Sequence, residues 1–225
     1  MAYNKRLLTW TADPDKFVRS RFMRRLTRAL IKRRESLGLG QQELADRAGL
    51  LRSYVSDIEC GARNITLGTL CVLAAALELN PSDLLIETEK AMEGRRRRKP
   101  KGYRSKKVAA SQLRETKTSV LVVQLTTVKF MRSFSQVLKM RRKSIALSQE
   151  EVAIRAGIHR THVSNVERFG GNITLRTLCL LSAALELAPS ELLIEAEKTA
   201  IERKEETSQF ATEMKTLNTR GSGRV

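Results

Sequence analysis

Apolar residues recur at helical spacing in two separate stretches of this 225-residue chain. Each stretch places four large apolar side chains on one face of a helix: Phe22, Leu26, Leu30 and Leu37 in the first, and Phe130, Phe134, Leu138 and Ile145 in the second. One segment, 119–125 (SVLVVQL), is β-branched and is compatible with either a short strand or the start of a helix. The pattern as a whole predicts an all-α protein.

The two stretches belong to an internal repeat with a constant offset of 108 residues. Gly49 matches Gly157, Asn64 matches Asn172 and Pro81 matches Pro189, and no gap is needed between 22–90 and 130–198. The predicted domains are an N-terminal domain over 1–93 (core 22–90), a basic flexible linker over 94–118, and a C-terminal domain over 119–206 (core 130–198). We expect a disordered tail over 207–225.

Each repeat predicts five helices from its capping signals. The first helix follows an N-cap at Asp13 with Pro14 and stops near Gly38. The second helix spans 41–48 or 149–156, with Ser148 a better N-cap than Gly40. Gly49 and Gly157 suit the left-handed residue after that helix. The third spans 52–59 or 160–167, the fourth follows an N-cap at Thr66 or Thr174, and the fifth begins at Pro81 or Pro189.

A helix, a glycine-containing turn and a second helix form the helix-turn-helix pattern. Ala45 must be small because the second helix crosses over it, while Val55 and Ile58 hold that helix down. The segments QQELADRAGLLRSYVSDIECGARNITLGTL and SQEEVAIRAGIHRTHVSNVERFGGNITLRTL resemble Xre-type, λ-repressor-like helix-turn-helix domains. The resemblance implies two tandem five-helix λ-repressor-like domains joined by a basic linker.

By this resemblance, the helices at 52–59 and 160–167 are recognition helices for the DNA major groove. Because Val55 and Ile58 face the core, the outward side chains are expected to read bases: Arg52, Ser53, Ser56 and Asp57 in repeat 1, and Arg160, Thr161, Ser164 and Asn165 in repeat 2. Arginine bonds guanine bidentately, asparagine suits adenine and aspartate suits the cytosine amino group. Tyr54 and His162 flank this face and are expected to contact the backbone or a thymine methyl.

The resemblance also implies roles beside the recognition helices. Gln41 and Gln149 match the family's phosphate-contacting glutamine at a helix N-terminus. Two structural Arg–Glu pairs are implied, Arg34 with Glu59 and Arg142 with Glu167. Arg63 is expected to contact phosphate after the first recognition helix. Repeat 2 departs here, with Phe169, Gly170 and Gly171 in place of Gly61, Ala62 and Arg63.

Charge adds a polyanion partner to this picture. The chain has 42 Lys and Arg against 24 Asp and Glu, a net charge of +18. The connector 91–129 alone holds 12 basic and two acidic residues. Three interpretations of this connector are open. It is a solvated linker whose charges are incidental, or an arm that follows the DNA phosphates. It could also insert into the minor groove, since RKPKG weakly resembles an AT-hook core. The arm residues would be Arg95, Arg96, Arg97, Arg98, Lys99 and Lys101.

Other chemistry is expected to be absent. No apolar run approaches a membrane span, and an odd number of cysteines without close spacing favours a reduced, cytoplasmic protein. If it binds DNA as expected, it would be nucleoid-associated. Cys71 and Cys179 are expected in the core and Cys60 on the surface. His159 and His162 lack a third ligand, so neither a metal nor a cofactor is expected. Paired catalytic carboxylates, a nucleophile elbow and a phosphate loop are missing from the sequence, so we do not expect an enzyme.

The predicted function is a sequence-specific regulator of transcription that binds double-stranded DNA, most simply as a repressor from a mobile element. Two tethered reading heads would bind a bipartite site, with the linker supplying effective concentration. A homodimer with four heads, joined through the first helices or SVLVVQL, is an alternative. A protein-interaction module, such as an antitoxin or anti-activator, is another. The repeated phrase NITLxTLCxLxAALEL is expected to be core packing.

Overall fold

The computed structural model describes residues 20–93 and 120–202. Repeat 1 contains the helices α1 (Arg21–Ser36), α2 (Gln41–Ala48), α3 (Arg52–Glu59), α4 (Leu67–Ala76) and α5 (Pro81–Glu93). Repeat 2 contains α6 (Val120–Ser144), α7 (Gln149–Ala156), α8 (Arg160–Phe169), α9 (Leu175–Ala184) and α10 (Pro189–Glu202). The all-α fold with two tandem helical domains is therefore confirmed.

The helix ends are set by the residues that the sequence marks. Thr66 and Thr174 accept hydrogen bonds from the backbone three residues on, at 3.1 and 3.2 Å. Ser148 forms a reciprocal capping box with Glu151, whereas Gly40 offers α2 no side-chain cap. Gly49 and Gly157 adopt left-handed φ angles of 64° and 63°, which glycine takes without steric cost.

Three predictions of secondary structure differ from what the structure shows. Asp13 and Pro14 lie outside the described residues, and the helix that carries Phe22 begins at Arg21, where Ser20 accepts the Met23 N–H at 3.2 Å. The strand interpretation of SVLVVQL is wrong, because residues from Val120 onward belong to α6. Finally, α8 continues to Phe169, two residues past its predicted end, because the left-handed glycine that stops it is Gly170 with φ 66°.

One apolar cluster runs through both repeats and seats the short helices. Leu26, Leu44 and Leu70 are fully buried in repeat 1, and Phe134 and Leu178 are fully buried in repeat 2. The small residues Ala45 and Ala153 are also buried, as expected where one helix crosses closely over another. The long helix α6 contacts α4, so the first helix of repeat 2 reaches into repeat 1.

The repeated NITL segment joins the two repeats to each other. Thr66 and Thr174 form an isolated antiparallel bridge. The Leu67 N–H donates to the Ile173 carbonyl at 2.7 Å, and the Leu175 N–H donates to the Ile65 carbonyl at 2.9 Å. The two hydrogen bonds are equivalent under the 108-residue offset, and this is the reciprocal pattern of a two-fold interface.

Two asparagines flank this bridge with unequal geometry. The Gly68 N–H donates to Asn172 Oδ1 at 2.8 Å, and the Arg176 N–H donates to Asn64 Oδ1 at 3.4 Å. A Cβ on Gly68 would lie 3.0 Å from the Asn172 amide. Arg176 is the residue of repeat 2 that matches Gly68, so its Cβ explains why the second asparagine stands farther away.

Two glutamates complete the interface at helix N-termini. Glu89 accepts the backbone N–H and the hydroxyl of Ser190 at 2.9 and 2.5 Å. Glu197 accepts the same groups of Ser82 at 2.9 and 2.6 Å. A helix N-terminus favours a carboxylate, so each repeat caps a helix of the other. The repeats are therefore docked directly as well as tethered, which the assignment of NITL to core packing alone did not anticipate.

Candidate nucleic-acid interface

The helices α3 and α8 are held by buried apolar residues and by hydroxyl groups from the first helix of each repeat. Val55 and Ile58 are buried beneath α3. Thr27 Oγ1 donates to the Ile58 carbonyl at 3.2 Å, and Ser135 Oγ lies 2.6 Å from the Val166 carbonyl oxygen. The sequence analysis missed both hydroxyl residues. They fix the C-terminal ends of α3 and α8 while leaving the opposite faces open.

A glutamate network locks α3 to α1 and α2. Arg34 donates to both Glu59 carboxylate oxygens, at 2.6 and 3.1 Å, and also to the Leu39 carbonyl at 2.8 Å. Gln41 Nε2 donates to Glu59 at 2.8 Å. The hydrogen bonds with Glu59 raise the pKa of Arg34 above its usual value, against the opposing effect of burial. The ion pair implied by the resemblance is thus present, and it also orients Gln41.

Repeat 2 contains the same network. Arg142 donates to Glu167 at 2.6 and 2.9 Å, and Gln149 donates to Glu167 at 2.7 Å. The hydrogen bond to Glu167 raises the pKa of Arg142. Burial alone would raise the pKa of Glu167, but the hydrogen bonds from Arg142 and Gln149 outweigh it and the pKa is lowered.

All eight predicted base-reading side chains lie on the solvent side of α3 and α8. The exposed ones are Arg52, Ser53, Arg160, Thr161 and Asn165, and the partly exposed ones are Ser56, Asp57 and Ser164. Tyr54 is partly exposed and His162 is exposed. The arrangement leaves one polar face on each helix that can enter a groove.

Three predicted DNA-contacting residues of repeat 1 form one cluster. Arg63 Nε donates to Asp57 Oδ2 at 2.8 Å, and the Arg63 guanidinium stands 5.4 Å from the centroid of the Tyr54 ring. The Asp57 carboxylate is therefore neutralised locally, which lessens the repulsion of phosphate that its charge alone would cause. Both side chains of the ion pair remain about half exposed, at 55% and 43%.

The comparisons with known proteins agree with this geometry. The sequence model of the family described as "Helix-turn-helix" matches the chain twice, over residues 30–84 and 138–192. The "Uncharacterized HTH-type transcriptional regulator y4dJ" of Sinorhizobium fredii is 38% identical over 84 residues, which are 37% of this chain and 99% of that protein. The chain belongs to the helix-turn-helix family. The resemblance to Xre-type regulators is thereby confirmed.

Two shorter helix-turn-helix matches are control proteins. "Control protein C.SmaI" of Serratia marcescens is 47% identical over 47 residues, covering 21% of this chain and 56% of that protein. "Control protein C.BamHI" of Bacillus amyloliquefaciens is 43% identical over 47 residues, covering 21% and 58%. The chain therefore spans just over half the length of these relatives. No solved structure matches the chain significantly.

The residue directly before each of α3 and α8 in this helix-turn-helix protein was not among the predicted DNA contacts. Leu51, next to Arg52, is 75% exposed. Its counterpart His159 accepts the Thr161 N–H through Nδ1 at 3.3 Å and so caps α8. The sequence signal was a leucine directly before Arg52. A leucine that is exposed beside polar neighbours is suited to contact a thymine methyl.

The remaining predicted residues of the helix-turn-helix chain fall in three groups. Arg160 lies 3.8 Å from Glu150, and both side chains are well exposed, so the pair is weak. Cys60 is exposed, whereas burial raises the pKa of Cys71 and Cys179. The linker cations Arg95, Arg96, Arg97, Arg98, Lys99 and Lys101 lie outside the described residues.

The described residues, 20–93 and 120–202, show neither a metal site nor a membrane-spanning helix. Within these ranges no group of three or more His, Cys, Asp or Glu side chains could hold a metal ion. In the same ranges no single helix is long and apolar enough to cross a membrane. The pairs α4–α5 and α9–α10 reach that length and composition only jointly and are bent by 99° and 96°.

Proposed function

We propose that this protein is a sequence-specific transcriptional regulator that binds double-stranded DNA and reads an imperfect inverted repeat with α3 and α8. The observation that carries this proposal is the reciprocal contact of the two NITL segments. Two recognition helices related by a two-fold axis match the two-fold symmetry of the DNA backbone. Half-sites about one helical turn apart, roughly 34 Å, are expected for such a pair.

The two half-sites should be similar but unequal. Arg52 and Arg160 occupy equivalent positions and both suit guanine. Asp57 and Asn165 differ in the base that they favour, and Leu51 and His159 differ in polarity. The cations of the linker would form an arm that contacts the DNA phosphates, while these residues contact the bases of DNA in the cytoplasm. The protein would repress transcription where its site overlaps a promoter. A reporter gene placed behind the selected site measures whether the protein lowers or raises expression.

Selection of bound sequences from a random DNA pool by the intact chain tests the proposal. We expect an inverted pair of half-sites at one fixed spacing. The variant Arg160→Ala should lose about 1–3 kcal/mol of discrimination at one position of one half-site only. Recovery of no sequence above the nonspecific level would remove the proposed function.

One observation favours a second candidate, a protein-interaction module. Phe169 is 72% exposed at the end of α8, where an aromatic side chain is suited to a protein contact. The acidic Asp57 on α3 adds no support to this alternative, because its charge is paired with Arg63. Co-purification of one partner with the wild-type chain but not with Phe169→Ala, together with failure of the DNA selection, would favour it.

A further inference from the structure

An open cleft of about 530 Å³ lies beside the end of α8 in repeat 2. One wall is the face of α6 formed by Arg132, Gln136 and Lys139, which lie one and two helical turns apart. The other wall is the last turn of α8, with Glu167, Arg168 and Phe169. The two final residues are those by which α8 exceeds α3, and repeat 1 has Cys60 and Gly61 at the matching positions.

The cleft carries an excess of positive charge. Arg132, Lys139 and Arg168 are exposed, and none of them forms a direct salt bridge within the described part of the chain, although the charge of Lys139 reaches Glu167 and helps to lower the pKa of that carboxyl. The Glu167 carboxylate also lines the cleft, but it is bound by Arg142 and Gln149 at 2.6–2.9 Å. The cleft thus presents three cations against one acid that already has its own partners.

The aromatic wall gives the cleft a second kind of contact. The Arg168 guanidinium stands 5.4 Å from the centroid of the Phe169 ring, which is within cation–π distance. The ring remains 72% exposed, which is unusual for a phenylalanine. A flat apolar face beside a fixed cation is suited to a sugar next to a phosphate.

The position of the cleft connects it to the surface that would face DNA. Gln149, which binds Glu167 at the cleft, is the first residue of α7. The N–H groups at the start of a helix attract phosphate, although Ser148 already caps one of those of α7 and the first turn carries the acids Glu150 and Glu151. The cleft therefore lies next to the start of α7, at the end of α8.

We propose that this cleft binds a backbone phosphate of the DNA that flanks the half-site of repeat 2, with Arg132, Lys139 and Arg168 as its cationic contacts and Phe169 against the adjoining sugar. This inference rests on the proposed function. It supplies repeat 2 with a phosphate contact in place of Arg63, whose position Gly171 occupies. Repeat 1 keeps cations at two matching positions, Arg24 and Arg28. It has Ile31 and Cys60 where repeat 2 has Lys139 and Arg168, so the complete set of contacts belongs to repeat 2.

The test is the salt dependence of binding to the selected DNA site, measured for the full chain and for Arg132→Gln/Arg168→Gln. The control Arg155→Gln/Lys198→Gln removes the same charge from two exposed cations that already pair with Glu186 and Glu195. We expect the cleft variant to bind about tenfold more weakly and to lower the slope of log K against log salt by about 1. Its base preferences should not change, because phosphate contacts carry no sequence information.

The results separate this inference from the proposed function. If the wild-type chain binds its site and the cleft variant keeps the wild-type affinity and slope, the phosphate site is overturned and the cleft is left to a protein partner. An equal loss in the control variant also overturns it, since the effect would then be one of net charge. Failure of the wild-type chain to bind any selected DNA would instead overturn the proposed function.

Discussion

At the scale of single residues, the two repeats serve as internal controls for each other. Gly38 has a left-handed φ of 68°, and the matching residue of repeat 2, Ala146, has a φ of 55°. The left-handed region costs a residue with a Cβ about 1–2 kcal/mol. A Cβ on Gly38 would meet nothing within 4 Å. The effect of a Cβ on stability at these two positions therefore comes from the backbone conformation and not from a steric clash.

Exchanging these residues should therefore have opposite effects on stability. Ala146→Gly should raise the free energy of unfolding by about 0.5–1 kcal/mol, and Gly38→Ala should lower it by about 1 kcal/mol. Denaturant unfolding of the two variants beside the wild type measures both changes. Shifts of the same sign would show that backbone strain does not control these turns.

Much of the residue-level structure could be predicted because its signals are local. Ser148, Thr66 and Gly157 mark helix ends by their own chemistry, and the structure places the ends there. The pairing of Arg63 with Asp57 could not be predicted, because it depends on how the chain turns after α3. The docking of Asn172 over Gly68 joins residues 104 apart and leaves no local sequence signal.

At the scale of helices, the pairing of Glu167 with Arg142 ties α6, α7 and α8 together. The pKa of Glu167 is lowered from its ordinary value of 4.5. A carboxyl group with a lowered pKa contributes stability that is present above its unfolded pKa and is lost as the pH falls through its folded pKa. Part of the acid unfolding of repeat 2 should therefore arise from this one group below pH 4.5.

Glu167→Gln should lower the free energy of unfolding at neutral pH by about 2–3 kcal/mol, because it leaves Arg142 without its charged partner. The free energy of unfolding should also fall less steeply with acid than it does in the wild type. Denaturant unfolding at pH values from about 6 to about 3 measures both effects. The control Glu195→Gln removes an exposed carboxylate and should leave the curve unchanged. An unaltered acid dependence in Glu167→Gln would contradict the assignment.

At the scale of the whole molecule, the two repeats form one docked body in which each half caps the other. The glutamate–serine contacts Glu89–Ser190 and Glu197–Ser82 are equivalent to each other under the 108-residue offset. Charge-assisted hydrogen bonds of this kind contribute about 1.5–3 kcal/mol each. The docking should therefore persist without the linker.

A chain cut at a protease site inserted between residues 94 and 118 tests this expectation. The two halves of the wild-type chain should elute together in size-exclusion chromatography. The halves of Glu89→Ala/Glu197→Ala should separate, because Ser82 and Ser190 then lose their hydrogen bonds to the two glutamates. Separation of the wild-type halves would show that the linker alone holds the repeats together.

If α3 and α8 read DNA as one fixed two-fold pair, the affinity of the chain for DNA must depend on how the two half-sites are arranged. The intact chain is titrated with its selected site, with sites carrying one to about five added base pairs, and with one half-site reversed. A fixed pair should bind the inverted arrangement at one spacing and fall towards nonspecific affinity when about half a helical turn, roughly five base pairs, is inserted. Equal affinity for the lengthened or reversed sites would show that α3 and α8 do not bind DNA as a fixed pair.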